Sequence, residues 1–280
     1  MKSIVFTVVL TAFVLSACSA PATSTSEPIP TLELSPTQNS DVMSPTLEPL
    51  PTQNNDVVWQ WDGEKWRPSG SPPNCIDPIT LESPIDITTA TAILYPGQTR
   101  GGDYKAHGGF RFDNAPSNSL DVKIPLDGHI IEASRYIEQG EVQYFFIFTS
   151  PCGIAYRLDH LLSLTSKFQA VADTLPEAKV DDSRTTLLKE PVAVKPGEII
   201  ATAIGFASNG NVSFDFGVYD VRKLNEASQD PAWAAKHEQS KEFDYYGICW
   251  LDLLPSKDVE VVKLLPGGDQ QAGKTSDYCK

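Results

Sequence analysis

Between residues 212 and 221 apolar and polar side chains alternate, with Val212, Phe214, Phe216 and Val218 set against Ser213, Asp215 and Gly217. Side chains two apart on an extended strand share a face, so this segment predicts a strand with one apolar face. Residues 142–149 are instead a near-continuous β run, Gln143 apart, containing Tyr144-Phe145-Phe146-Ile147-Phe148. Such a run predicts a strand covered on both faces. Shorter strand patterns fall at 93–95, 120–124, 129–133, 154–161 and 192–204, separated by turns such as Pro125-Leu126-Asp127-Gly128 and Lys195-Pro196-Gly197-Glu198. Residues 57–66 alternate around Asp62-Gly63, the signature of a short hairpin. Its tryptophans, Trp59, Trp61 and Trp66, would cover a core edge or offer a saccharide platform. Helical patterning interrupts the strands twice, at 161–175 and 223–242. The succession predicts a mainly β chain, an antiparallel sandwich or barrel-like fold with one or two short helices.

The first 57 residues follow a different pattern. Residues 1–17 hold Lys2, an apolar run and then small residues before Cys18, which predicts a signal peptide. Leu15-Ser16-Ala17-Cys18 resembles the bacterial lipobox, so Cys18 is the expected lipidation site and membrane anchor on the extracytoplasmic side. Residues 18–57 are rich in Pro, Thr, Ser, Glu and Asn and contain a twice-repeated Pro-Thr-Leu-Glu … Pro-Thr-Gln-Asn pattern. That composition buries too little apolar surface to offset the entropy of ordering, so a disordered tether is expected. The formal net charge of −14 argues against a nucleic-acid partner, whose phosphates would be repelled. Besides Cys18 there are Cys75, Cys152, Cys249 and Cys279, which in an exported chain predict two disulfides with three possible pairings. Nearness in sequence favours Cys249 with Cys279, which leaves Cys75 with Cys152.

Candidate chemistry centres on residues 101–113. If the strand is extended, His107, Gly109, Arg111 and Asp113 point one way and Phe110 and Phe112 the other. An imidazole and a carboxylate beside a bare glycine floor can build a metal or polar binding site, or simply a wet strand face.

The order of landmarks around this stretch resembles that of the lysostaphin (LytM-type) zinc endopeptidases, which cut peptidoglycan cross-links. Tyr95-Pro96-Gly97-Gln98-Thr99-Arg100 and His107-x-Gly109 are similar to the family's Gly-x-Arg … His-x-Gly-x-Asp opening. Ile124 to Ile130 is similar to its Pro-x-Asp-Gly-x-Val hairpin, and Tyr156 to Leu161, ending Asp159-His160-Leu161, to its Tyr-x-His-Leu strand. Val194-Lys195-Pro196-Gly197 and the Phe214-Asp215-Phe216-Gly217 strand stand where the family has its closing Gly-rich segment and His-x-His strand.

The resemblance implies a duplicated β hybrid motif over residues 85–222, preceded by a hairpin and linker at 58–84 and followed by a C-terminal extension at 223–280. It implies zinc ligands at His107, at the position four later and at Asp215, with catalytic partners at His160 and Ser213. The position four after His107 holds Arg111, and Asp113 is the next carboxylate on that strand; Ser213 and Asp215 replace the two histidines of His-x-His. A zinc centre would therefore have to use His107, Asp113 and Asp215, a harder donor set than the family's. Arg111, a groove residue on the same face, would pair with Asp113 or Asp215 and repel a dication. The expectation is a metal-free, catalytically inactive domain in an exported lipoprotein, binding a cell-wall polymer or an envelope protein. The alternative is an active zinc endopeptidase with His160 as its acid–base group.

Overall fold

The computed structural model describes residues 57–280. The expected signal peptide, the lipidation site Cys18 and the tether up to residue 56 lie outside the described residues. The described residues belong to one compact unit.

Strands β1 (Trp59–Trp61) and β2 (Trp66–Pro68) form the hairpin expected from Asp62-Gly63. The Asp62 carboxylate accepts from the N–H groups of Glu64 and Lys65, and Gly63 supplies a φ of +98°, as a tight turn needs. There follow β3 (Ala92–Leu94), a second hairpin of β4 (Gln98–Arg100) and β5 (Asp103–Lys105), and then β6 (Gly108–Arg111) and β7 (Val122–Lys123). The long strands are β8 (Gly128–Glu138), β9 (Glu141–Thr149) and β10 (Ile154–Leu164). Helix α1 (Ser166–Ala172) precedes β11 (Thr186–Val194), β12 (Ile199–Ile204) and β13 (Ser213–Asp220), and the chain ends with α2 (Pro231–His237), α3 (Lys241–Asp244) and α4 (Ser256–Leu264).

Nine strands make one antiparallel sheet in the order β11-β8-β9-β10-β13-β6-β3, with β12 branching from β10 to β7. The fold is mainly antiparallel β with a few short helices, and among the described residues the sheet does not close into a barrel. The first helical expectation starts too early: residues 161–164 continue β10, because Leu161 to Leu164 find a ladder partner in β12, and α1 begins only at Ser166. The second breaks into α2, α3 and short 3-10 turns.

Both faces of the central strands are buried, and each strand divides its side chains between two cores. Phe146 and Phe148 of β9 and Phe214, Phe216 and Val218 of β13 enter the larger core. Phe145 and Ile147 of β9 and Tyr219 of β13 enter a smaller one. The hairpin rings Trp59 and Trp66 cover that second core, and Trp61 packs edge-on to Trp66 and Tyr246. This trio covers a core edge.

The C-terminal extension is part of the same packing. Trp250 is fully buried against Phe110 (5.5 Å between ring centres) and Phe216 (4.8 Å). Disulfides join Cys249 to Cys279, closing a loop within the extension, and Cys75 to Cys152, tying the 58–84 linker to the domain. Trp250→Ala should therefore destabilise the whole unit by about 3–5 kcal/mol, because the emptied ring site lies between two strands and cannot collapse. Urea unfolding followed by near-ultraviolet circular dichroism checks this, and the loss should appear as one cooperative transition.

Candidate functional site

The face of β6, β10 and β13 turned toward the smaller core carries a cluster of charged and imidazole side chains. Register places them together. Asp215 of β13 lies opposite Gly109 of β6 on one side and Asp159 of β10 on the other, while Gly217 lies opposite Arg157. The glycines provide the room. A Cβ on Gly109 would come within 3.3 Å of Asp215 Oδ1, and one on Gly217 would meet the His107 Cβ at 2.8 Å.

At the centre His107 Nε2 donates to Asp215 Oδ2 at 2.8 Å. His160 Nε2 approaches the same oxygen at 3.8 Å, so one carboxylate oxygen sits between two imidazoles. Arg157 is largely buried, donates to Asp159 Oδ2 at 2.5 Å and stacks its guanidinium over the Phe145 ring at 4.1 Å. The other oxygen of Asp159 accepts from the Tyr136 hydroxyl and from the His160 backbone N–H, each at 2.8 Å. Arg100 donates to the His107 carbonyl at 3.1 Å and to the Tyr95 carbonyl at 2.8 Å, holding the β4–β5 hairpin against the residues that flank β6 and β3.

His160 is set by an irregularity in the sheet. Residues 154–159 of β10 pair with β13, whereas Leu161 onward pairs with β12. His160 stands at the change of partner with φ at +59°, a left-handed conformation that costs a non-glycine residue roughly 1–3 kcal/mol. The kink turns its imidazole back over the cluster, with Nδ1 at 3.3 Å from the Tyr136 hydroxyl and 4.0 Å from Glu138, and its ring against Phe206.

Burial fixes the charge states. Loss of hydration, reinforced by the nearby Arg157, lowers the His107 pKa to about 4, and its attraction to Asp215 does not reverse this. At neutral pH His107 is therefore the neutral Nε2–H tautomer. Burial opposes ionisation of Asp215, but attraction to His107 and its hydrogen bond, followed by His160 and Arg100, outweigh it and hold the carboxyl well below the usual carboxylate range.

Of the residues singled out by sequence, the fold gathers His107, His160 and Asp215. Asp113 lies outside this group. Strand β6 ends at Arg111, the chain turns, and the Asp113 carboxylate is taken by Arg111 at 2.7 Å and by the Thr91 hydroxyl at 3.1 Å. The shared face inferred for His107 and Asp113 required an extended strand through residue 113, and that strand stops two residues short. Arg111 turns away to Asp113. Ser213 lies opposite Arg111, and its hydroxyl donates to Asn211.

Arg157, Asp159 and Tyr136 are the members that sequence reasoning missed. A usable signal was present in Arg157-x-Asp159: two opposite charges on one face of an otherwise apolar strand are a buried pair in waiting.

A catalytic zinc site uses three protein ligands and an open position. The family-matched positions supply an imidazole, a guanidinium and a carboxylate, so one of the three carries positive charge. Asp159, His160 and Asp215 do bring ligand atoms within 4.8 Å of one another. Both oxygens of Asp159 are already engaged, however, and Arg157 would stand beside any cation bound there. Each set thus includes or adjoins a guanidinium, Arg111 in the first and Arg157 in the second, whose charge opposes a dication. What the arrangement offers is a fixed polar surface: a neutral imidazole, a carboxylate held ionised and a second imidazole, each partly open to solvent.

No family model and no curated protein matches the chain. Among solved structures, Helicobacter pylori Csd3 in its orthorhombic crystal is similar over 66% of this chain and 46% of its own, at 15% identity and a TM-score of 0.30. The chain thus spans under half of that structure, and likeness at this level does not assign a family.

Two outcomes follow from the cluster. Because the unfolded His107 titrates near 6.5 and the folded one near 4, the unfolded chain binds more protons between those values. Stability must then fall as pH drops through that window, by up to about 3 kcal/mol from this residue. Urea midpoints at pH 7, 5.5 and 4.5 should decline, and His107→Gln should flatten the decline. Asp159→Asn should cost about 3–5 kcal/mol, since it leaves the Arg157 guanidinium buried without its counter-charge. The conservative change Asp159→Glu should recover part of the loss in the same urea titration.

Proposed function

We propose that this protein is an exported lipoprotein, anchored through Cys18 on the extracytoplasmic side of a membrane. Its LytM-like β domain binds a cell-wall polymer or an envelope protein without cutting it. The observation that carries this reading is the direct 2.8 Å bond from His107 Nε2 to Asp215 Oδ2 at the positions where the resembled peptidases hold zinc. The third matched position is Arg111, whose charge is spent on Asp113. The internal hydrogen bond does the organising that a metal does in the resembled family, and the partly open imidazole–carboxylate surface is left to meet a polar ligand.

The sequence motifs support the envelope setting, through the lipobox-like Leu15 to Cys18 segment and the Pro/Thr-rich tether. The two disulfides suit an oxidising compartment. A zinc endopeptidase using His107, Asp113 and Asp215 would need Asp113 released from Arg111 and carried to the cluster.

Metal analysis separates the two. Protein purified without chelator and dialysed against zinc should hold far less than stoichiometric zinc, with no change on His107→Ala, and should sediment with purified peptidoglycan sacculi while leaving them intact. Stoichiometric zinc that is lost in His107→Ala, together with release of wall peptides by the unsubstituted chain, would overturn the binding reading.

A further inference from the structure

A second cleft lies where the C-terminal extension meets the β4–β5 hairpin. It has a volume of about 490 Å³, within the range of small-ligand pockets, and shares no lining residue with the His107–Asp215 cluster. Thr99, Asp103 and Tyr104 line it from the hairpin, and Lys236, His237 and Ser240 from the extension.

His237 is held here with unusual completeness. Its ring stacks on Trp233 (3.9 Å between centres, 15° between planes) and meets Tyr104 edge-on at 4.1 Å. Nδ1 is 2.8 Å from the Asp244 Oδ2, and both side chains are about nine-tenths buried. The Asp244 backbone carbonyl is in turn held by the Asn225 amide and the Tyr278 hydroxyl, so the backbone that carries the carboxylate is fixed in place. With Nδ1 and one ring face committed, Nε2 is the polar atom the ring has left to offer the cleft, and it has no partner among the described residues. Burial lifts the Asp244 carboxyl to about 6 despite His237 beside it, the cost of an anion retained to orient that ring.

We propose that this cleft is a binding site for a small, uncharged polyhydroxylated ligand of mono- or disaccharide class, with His237 Nε2 as its central hydrogen-bond acceptor. The lining argues for hydroxyls. It mixes donors and acceptors, and the side chains of Thr99, Lys236 and Ser240 make no hydrogen bond among the described residues. A hydroxyl both donates and accepts, so a polyol can satisfy such a mixed set. An apolar ligand would strip water from these groups and leave them unpaired, which costs about 1–3 kcal/mol for each. A polyanion would face Asp103, Asp244 and a chain of net charge −14, while a metal cation would face Lys236. Tyr104 gives one aromatic wall of the kind on which sugar C–H groups rest.

This site stands independently of the reading of the His107 cluster, and zinc content has no bearing on it. The test is saturation-transfer NMR on the disulfide-intact chain with glucose, N-acetylglucosamine and its β-1,4-linked dimer, read together with the His237 ring resonances. At least one sugar should give saturable transfer with millimolar affinity and move the His237 signals. His237→Ala should weaken binding by about tenfold or more, the loss of one well-placed hydrogen bond. The exposed double change Lys236→Ala/Ser240→Ala, which leaves the buried dyad intact, should weaken it several-fold and keeps the test valid if His237→Ala does not fold. Absence of transfer from all three sugars, or affinity unchanged in the folded variants, overturns the proposal. So does inorganic phosphate moving the His237 signals at concentrations where the sugars do not.

Discussion

The charged cluster of this domain depends on one carboxylate, Asp215, largely withdrawn from solvent on the central strand β13 with an imidazole on either side. A buried anion costs several kcal/mol unless neighbours replace its lost hydration. Here the replacements come from separate elements: His107 beside β6, His160 at the break in β10, and Arg100 from the β4–β5 hairpin through its field. Arg157 and Asp159, on the adjoining strand β10, form an opposite-charge pair of which either member would be costly alone. With His107 neutral, the negative charge of Asp215 is offset by Arg100, while Arg157 and Asp159 offset each other. That explains how four ionisable side chains can face an aromatic core of Tyr136, Phe145 and Tyr219.

The network also dictates local geometry. Gly109 and Gly217 leave the space that Asp215 and His107 occupy. The positive φ of His160 is tolerated because the strand on both sides is fixed, by β13 before it and by β12 after it. Its backbone N–H donates to Asp159, which uses the kink to close the carboxylate's hydrogen bonds. Strain and polar satisfaction are thus coupled: a regular strand at residue 160 would lose both the ring's position and that N–H contact.

Much of the fold was legible in the hydrophobic pattern. The near-continuous apolar run of β9 gave a strand covered on both faces, as the packing shows, whereas the alternation of β13 marked a strand but not that its second face would also be covered, by the smaller core. The pairing of cysteines followed from nearness in sequence. What the pattern could not carry was where extended strands stop and bend. Asp113 sits at the right parity to join His107, but parity holds only while the strand continues, and β6 ends at Arg111. Residues 161–164 look helical by composition, yet pair with β12 because a ladder partner outweighs a weak local preference. Arg157 and Asp159 were visible as letters, but their depth depends on side chains from other strands, Phe145 of β9 under the guanidinium and Tyr136 of β8 on the carboxylate.

The C-terminal extension shows the same logic on a second scale. It has no counterpart in the sequence motifs of the β domain, yet it supplies Trp250 to the larger core and Tyr246 to the smaller one. An appendage that only capped the sheet would need apolar contacts and its disulfide. This one also carries a buried imidazole–carboxylate pair, His237 with Asp244, whose ring is further fixed by Trp233 and Tyr104. Replacing such a pair by apolar residues of similar size is often neutral or stabilising. Core stability alone therefore does not account for it, and the polar cleft it faces is where its geometry has a use.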